Sequence, residues 1–218
     1  MCTVSCAPGI IMCIGRMEIN VLKNIIFDVG DVLLEYRWHD MLTDYGLEDG
    51  EADKVGKLMF DDNLWHEFDI GNMHRDEIIG QYIKNYPEYA QVMQWFMTHG
   101  EFMHVKREDV WEKMYKLKEK GYGIYILSNY SEELFRKHTT DAPFIEIADG
   151  IVVSYQIHIT KPDEGIYKFL LNKYNLKAEE CIFFDDREEN TEGARKLGIN
   201  AVTVISKEFL LEELDKLL

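Results

Sequence analysis

The stretch Asn24-Ile25-Ile26-Phe27-Asp28-Val29-Gly30-Asp31-Val32-Leu33-Leu34 decides how the rest of the chain is read. Three apolar residues run into an aspartate, a glycine and a second aspartate, and the chain then turns apolar again. Residues 25–27 show no alternation, which predicts a short strand buried on both faces, as in a parallel sheet. An acid placed directly after such a strand stands at the carboxyl edge of the sheet, where open α/β folds bind ligands. In isolation an aspartate followed closely by a glycine is an ordinary turn ending a strand. Its functional weight comes from recurrence further along the chain.

From Glu108 onward, helix and strand patterns alternate strictly. Asp109–Lys120 reads as a helix with Val110, Met114 and Leu117 on its apolar face and Gly121 as its stop. Tyr122–Leu127 reads as a strand followed at once by Ser128-Asn129, and Glu132–His138 as a helix. Ile151–Ser154 is a strand, Asp163–Tyr174 a helix opening just after Lys161-Pro162, and Cys181–Phe184 a strand ending in Asp185-Asp186. Glu192–Leu197 is a helix stopped by Gly198, Ala201–Ile205 a strand, and Glu208–Leu218 a closing amphipathic helix. This order predicts an α/β fold with a doubly wound parallel sheet.

Between Trp38 and about Met103 no parallel-strand signal appears. Met, Trp, Tyr and Phe recur there at helical spacing, punctuated by Gly46, Gly50, Gly71-Asn72 and Pro87. The expected organisation is therefore an α/β core over 17–36 and 105–218 with a helical insert over 37–104. Residues 1–16 are read as an extension outside the fold, since Met17-Glu18 makes a sensible start for a domain whose first strand begins near Asn24.

Composition narrows the function classes. With 218 residues, 46% hydrophobic and 29% charged, the sequence reads as a soluble globular protein. No apolar run approaches the roughly 18–20 residues of a spanning helix, and a formal charge of −16 argues against nucleic acid and anionic membranes as partners. Cys2, Cys6, Cys13 and Cys181 match no zinc spacing and read as reduced thiols of a cytoplasmic protein. Nothing in the sequence fixes the oligomeric state.

Three buried strands thus end in short polar groups: Asp28, Ser128-Asn129 and Asp185-Asp186. In a parallel sheet such ends emerge on one edge, and Lys161 reaches that edge from a loop. Any one of them is an ordinary cap or turn residue, but four together are hard to explain as punctuation. Two carboxylates about 4 Å apart repel by roughly 4 kcal/mol at an effective dielectric near 20. Asp28 facing Asp186 therefore calls for a cation, and an all-oxygen site suits Mg²⁺. Lys161 and Ser128 would hold phosphate oxygens, leaving Asp28 with one free oxygen aimed at phosphorus, the role of a carboxylate nucleophile.

At these residues the chain resembles the haloacid dehalogenase (HAD) superfamily over about residues 22–205. The four matching motifs are Phe27-Asp28-Val29-Gly30-Asp31-Val32, Leu127-Ser128-Asn129, Lys161-Pro162 and Phe183-Phe184-Asp185-Asp186. The insert resembles the C1 helical cap of subfamily I. The sequence is particularly similar to the YihX-like glucose-1-phosphate phosphatase branch, through Val29-Gly30, Trp65-His66-Glu67 with Gly71, and the Phe-Phe-Asp-Asp run. The resemblance implies a HAD-like Rossmannoid core and a phosphatase working through an aspartyl-phosphate. It makes Asp28 the nucleophile, with Ser128 and Lys161 stabilising the phosphate and intermediate and Asn129 and Asn190 at accessory positions, Asn129 among the phosphate contacts. The Mg²⁺ ligands would be Asp28, the Gly30 carbonyl and Asp186, with Asp185 behind it.

One position departs from the family. Most of its phosphatases carry a second aspartate two residues after the nucleophile as general acid and base; here Gly30 stands there, and Asp31 comes one step later. A positioned acid–base group is worth about 10²–10⁴-fold, and its loss hurts least with a good leaving group. The expected substrate is thus a small phosphate ester, a sugar phosphate such as a sugar 1-phosphate, with anomeric, aryl or acyl phosphates favoured over alkyl ones. Two rivals share the fold: a metal-free 2-haloacid dehalogenase, and a catalytically weak domain that binds phosphate or a partner protein. Trp65, His66, Asp69 and Asn72 are candidate sugar contacts in the insert, each with an ordinary packing or turn role as the alternative.

Overall fold

The computed structural model describes residues 22–218. The predicted extension over 1–16 lies outside these residues. Five strands form one parallel sheet in the order β5-β4-β1-β6-β7: β1 (Asn24–Phe27), β4 (Gly123–Ser128), β5 (Gly150–Val153), β6 (Cys181–Asp185) and β7 (Asn200–Thr203). β1 is central, with Phe27 level with Ile126 on one side and Phe184 on the other. Strand order reverses direction at β1, the position where open parallel sheets form a ligand crevice.

The absence of alternation in residues 25–27 has the predicted cause. Ile25, Ile26 and Phe27 are fully buried because successive side chains enter two different cores. Ile25 and Phe27 pack with Val110, Met114 and Leu117 of α6 (Glu108–Glu119) and Leu210 and Leu214 of α12 (Lys207–Asp215). Ile26 packs on the other face with Ile166, Tyr167 and Leu170 of α10 (Glu164–Lys173) and Ala194 of α11 (Glu188–Lys196). The remaining core helices are α7 (Glu132–Thr139) and the one-turn α8 (Phe144–Ile147) and α9 (Ser154–Ile157).

Between β1 and α6 the chain forms α1 (Trp38–Tyr45), α2 (Asp49–Phe60), α3 (Asn63–Asp69), α4 (Arg75–Asn85) and α5 (Ala90–Thr98). This helical unit is entered and left through a feature with no counterpart in the sequence reading. A two-stranded antiparallel ribbon pairs β2 (Leu34–Tyr36) with β3 (His104–Lys106). Three residues per strand are too few to show a period of two. A second difference is the start of α11, which begins at Glu188 rather than 192. Its first turn buries Asn190 and Thr191, so the inward face there is polar and carries no apolar signature. Among the described residues no helix is long and apolar enough to cross a membrane.

Candidate active site

The register brings the strand ends together. The Asp28 N–H donates to the Phe184 carbonyl (2.9 Å), setting Asp28 beside the Asp185 end of β6. Three donors then converge on one oxygen of Asp28: the Val29 N–H (2.7 Å), the Ser128 hydroxyl (2.6 Å) and the Lys161 ammonium (2.8 Å) all reach Oδ1. Among the described residues Oδ2 accepts no hydrogen bond.

Lys161 is 3% exposed and would be costly to bury unpaired. Its Nζ donates to Asp185 Oδ2 (2.6 Å) and the Leu127 carbonyl (3.0 Å) besides Asp28. Burial opposes its charge, but Asp185 and Asp28 outweigh it and hold its pKa above the ordinary lysine value. The Lys161-Pro162 peptide is cis. Asn129 clamps this loop from both sides: its Oδ1 accepts from the Lys161 N–H (2.8 Å) and its Nδ2 donates to the Lys161 carbonyl (2.9 Å). One amide hydrogen of Asn129 remains for a ligand.

Asp185 and Asp186, adjacent in sequence, have opposite surroundings. Asp185 is fully buried, and its Oδ1 accepts from the Arg187 N–H and from Asn190 Nδ2, both at 2.9 Å, while its Oδ2 takes Lys161. Asp185 thereby fixes both the lysine and the first turn of α11. Asp186 lines the open cavity beside Asp28. Burial, reinforced by Asp28 and Asp185, pushes its pKa up to about 7. Asp28 is raised to about 6, by burial first and Asp185 in addition, against the pull of Lys161.

Carboxylate oxygens of Asp28, Asp185 and Asp186 lie within 4.8 Å of one another. Three acids against one lysine leave an uncompensated negative cluster of oxygen donors, which fits a hard divalent cation such as Mg²⁺. Gly30 lines the same cavity.

Above Gly30 sits a residue the sequence reading missed. A Cβ placed on Gly30 would lie 2.4 Å from Tyr36 Cε2 and 3.0 Å from its hydroxyl. The phenol therefore occupies the space that a side chain at position 30 would need. No pattern in the sequence points to Tyr36, because only the ribbon folds it back over β1. Asp31 has φ +50 and its Oδ1 accepts from the Tyr36 N–H (2.9 Å). Its carbonyl accepts from Arg107 Nη1 (2.5 Å). It lines the cavity but is tied into the turn that supports the ribbon.

The cavity encloses about 530 Å³ between the sheet edge and the helical insert. The insert contributes Trp38, Phe60 and Trp65, with Phe60 meeting Trp65 edge to face at 4.6 Å, and the polar groups Asp53, Lys57, Asp61 and Asp69. Of the four candidate sugar contacts, Trp65 and Asp69 line the cavity. His66 is exposed and Asn72, whose Nδ2 donates to Glu67 Oε2 (2.9 Å), is spent within the insert; neither lines the cavity.

Fold and site define a Rossmann-like hydrolase with an acidic centre at the edge of its sheet. The chain belongs to the haloacid dehalogenase-like hydrolase family, whose profile matches residues 65–204. It is 26% identical over 200 residues to drimenol cyclase drtB of Aspergillus calidoustus, a match covering 89% of this chain but only 36% of the cyclase. It is 25% identical over 189 residues to the D-ribitol-5-phosphate phosphatase of Bacteroides thetaiotaomicron, covering 82% of this chain and 89% of that enzyme. In fold it is similar to a HAD family enzyme from Bacteroides thetaiotaomicron solved with magnesium and inorganic phosphate. The TM-score is 0.65 at 21% identity, over 84% of this chain and 93% of that one.

Proposed function

We propose that the protein is a Mg²⁺-dependent phosphatase of a small phosphorylated metabolite, sugar 1-phosphates foremost, working through an aspartyl-phosphate on Asp28. The observation that carries this reading is the asymmetry of Asp28: among the described residues three donors hold Oδ1 and none holds Oδ2. A carboxylate fixed by one oxygen presents the other as an oriented nucleophile. Oδ2 attacks phosphorus, the bond from phosphorus to the leaving-group oxygen breaks, and water then attacks the phosphorylated Asp28 to release phosphate and restore the carboxylate. Ser128 and Lys161, already at the reacting carboxylate, stabilise the phosphoryl oxygens in both steps, with Asn129 supporting Lys161 and offering its remaining N–H. Asp28, Asp186 and the Gly30 carbonyl, with Asp185 behind, would hold Mg²⁺, which would supply positive charge toward the phosphoryl oxygens.

Residues 37–104 act in this reading as a C1 cap over a core of 17–36 and 105–218. The cap covers the phosphate, excludes water and reads the leaving group with its aromatic wall and carboxylates. The YihX-like branch is favoured by Gly30 after the nucleophile and by Trp65 at the cavity, and the buried free thiol of Cys181 suits a cytoplasmic enzyme. A 2-haloacid dehalogenase has no use for Asp186 facing Asp28.

The test is a screen over sugar phosphates and p-nitrophenyl phosphate with and without Mg²⁺, with Asp28→Asn as control. Hydrolysis should require Mg²⁺, favour a sugar 1-phosphate over its 6-phosphate isomer in kcat/KM, and fall by at least about 10⁴-fold in the variant. Full activity in Asp28→Asn would remove the mechanism, and haloacid turnover without metal would establish the dehalogenase.

A further inference from the structure

Gly30 leaves this hydrolase without a side chain where its relatives' proton donor is expected, and two neighbouring groups are unsuited to replace it. Asp31 is tied to the ribbon through the Tyr36 N–H. The Tyr36 ring packs against the rings of Tyr130 (centroids 5.9 Å) and His138 (6.5 Å). Tyr130 faces His138 Nδ1 (2.9 Å), and His138 Nε2 faces the Gly100 carbonyl (2.7 Å). A carbonyl only accepts, so Nε2 carries the hydrogen and Nδ1 accepts from Tyr130. The Tyr130 hydrogen is thus committed to His138, and the chain ends on a carbonyl that takes no proton. Burial holds both phenols far above their ordinary pKa and His138 down at about 4. Tyr36 packs on this pair, and its phenol, held protonated by burial, does not exchange a proton near neutral pH.

Asp69 is differently placed. It is the last residue of α3, and its side chain lines the cavity that also holds Asp28, Lys161 and Asp186. Its position is clamped from the core at successive residues. The Ser154 hydroxyl donates to the Asp69 carbonyl (2.5 Å), the Ile70 carbonyl meets His158 Nδ1 (2.7 Å), and the Ser131 N–H supports the Asp69 carboxylate. Asp53 and Asp61, the insert's other acids at the cavity, are exposed to solvent, whereas Asp69 is partly buried. Burial, with Asp28 in addition and Ser131, Arg187 and Lys161 opposing, raises its pKa to about 7. An acid with that pKa is populated in both protonation states at neutral pH, as acid–base work requires.

We propose that Asp69, reaching the cavity from the helical insert, is the general acid and base that takes the place left vacant by Gly30. The proposal rests on the phosphatase reading. Protonated Asp69 gives its proton to the leaving-group oxygen as Asp28 Oδ2 bonds to phosphorus. The resulting carboxylate then takes a proton from the water that attacks the phosphorylated Asp28, which returns Asp69 to its starting state. An insert-borne acid extends the substrate range from anomeric and acyl phosphates towards alkyl ones.

The test is Asp69→Asn, assayed with Mg²⁺ on p-nitrophenyl phosphate and on a sugar 6-phosphate. In kcat/KM, which reads transfer to Asp28, the variant should lose about 10²–10⁴-fold on the alkyl ester and less than about tenfold on the nitrophenyl ester, whose leaving group needs no proton. A burst of nitrophenolate equal to the enzyme concentration should appear as the second step slows. Equal losses on both esters with no burst, or no loss on either, would overturn the role. Loss of all activity in Asp28→Asn with such a uniform result would sink Asp69 alone, whereas an active Asp28→Asn would sink the phosphatase reading itself. Asparagine keeps the oxygen facing Ser131, and retained nitrophenyl activity reports that the variant folds. Should it not fold, Asp69→Ala with and without added formate carries the same decision: rescue on the alkyl ester supports the role, and its absence overturns it.

Discussion

The two walls of the cavity are built on opposite principles. At the sheet edge every charge but one is spoken for: Lys161 contacts two carboxylates and a carbonyl, Asp185 accepts from three donors, and Asp28 is fixed by one oxygen. On the insert wall the side chains are aromatic or solvent-facing, and its one partly buried acid, Asp69, is held mainly through its own backbone. The first wall fixes a reaction geometry, because a network with no slack holds its atoms in place. The second keeps groups whose protonation and contacts are still free to change with the ligand.

Lys161→Met should break the first wall most severely. It leaves Asp28 and Asp185 buried with no cation, and breaking a buried pair this way costs about 3–5 kcal/mol. Urea unfolding should read that loss together with abolished turnover, and a variant as stable as the parent would show that the network is not what holds this edge.

Gly30→Ala probes the seam between the walls. The new methyl would meet the Tyr36 ring, which packs against Tyr130 (centroids 5.9 Å) and His138 and cannot simply swing away. Overpacking of this kind costs about 1–3 kcal/mol, measurable as a lowered urea midpoint. Tyr36→Ala should relieve it in the double variant.

A smaller effect separates the walls by titration. Asp28, Asp186 and Asp69 all have pKa values raised on folding, to about 6, 7 and 7. The folded state therefore binds more protons than the unfolded one between about pH 4 and 7, and stability falls as pH rises through that window. His138 and His104, both lowered by burial from the ordinary 6.5, act in the opposite sense but fade above that value, so between pH 6.5 and 8 the carboxyls outweigh them. In EDTA the melting temperature should be about 2–4 °C higher at pH 6.5 than at pH 8. Mg²⁺ should flatten the share of the sheet edge, and Asp69→Asn the share of the insert. A melting curve that rises with pH would contradict the sign.

The same contrast governs what the sequence reveals. The parallel sheet and the meeting of Asp28, Ser128, Lys161, Asp185 and Asp186 are legible because each polar group directly follows an apolar strand or opens a helix, so local pattern determines place. Tyr36 over Gly30 is not legible, since a ribbon of three-residue strands brings it there. Nor is the setting of Asp69, which depends on Ser131, Ser154 and His158, all more than sixty residues away in the chain. The early start of α11 escapes notice for a related reason: its first turn faces Asp185 with polar side chains.

The ribbon of Leu34–Tyr36 and His104–Lys106 has an evolutionary consequence. Because the chain leaves and re-enters the core through two adjacent strands, the pairs Leu34–Lys106, Glu35–Val105 and Tyr36–His104 fix the separation of the ends whatever lies between them. Closing a longer or shorter loop between fixed ends adds little free energy, so a lineage can rewrite the intervening helices without disturbing the register of β1. With Asp69 among those helices and Tyr36 on the ribbon itself, one exchange of this segment would replace the aromatic wall of the cavity and Asp69 together, while Asp28 stayed where it is.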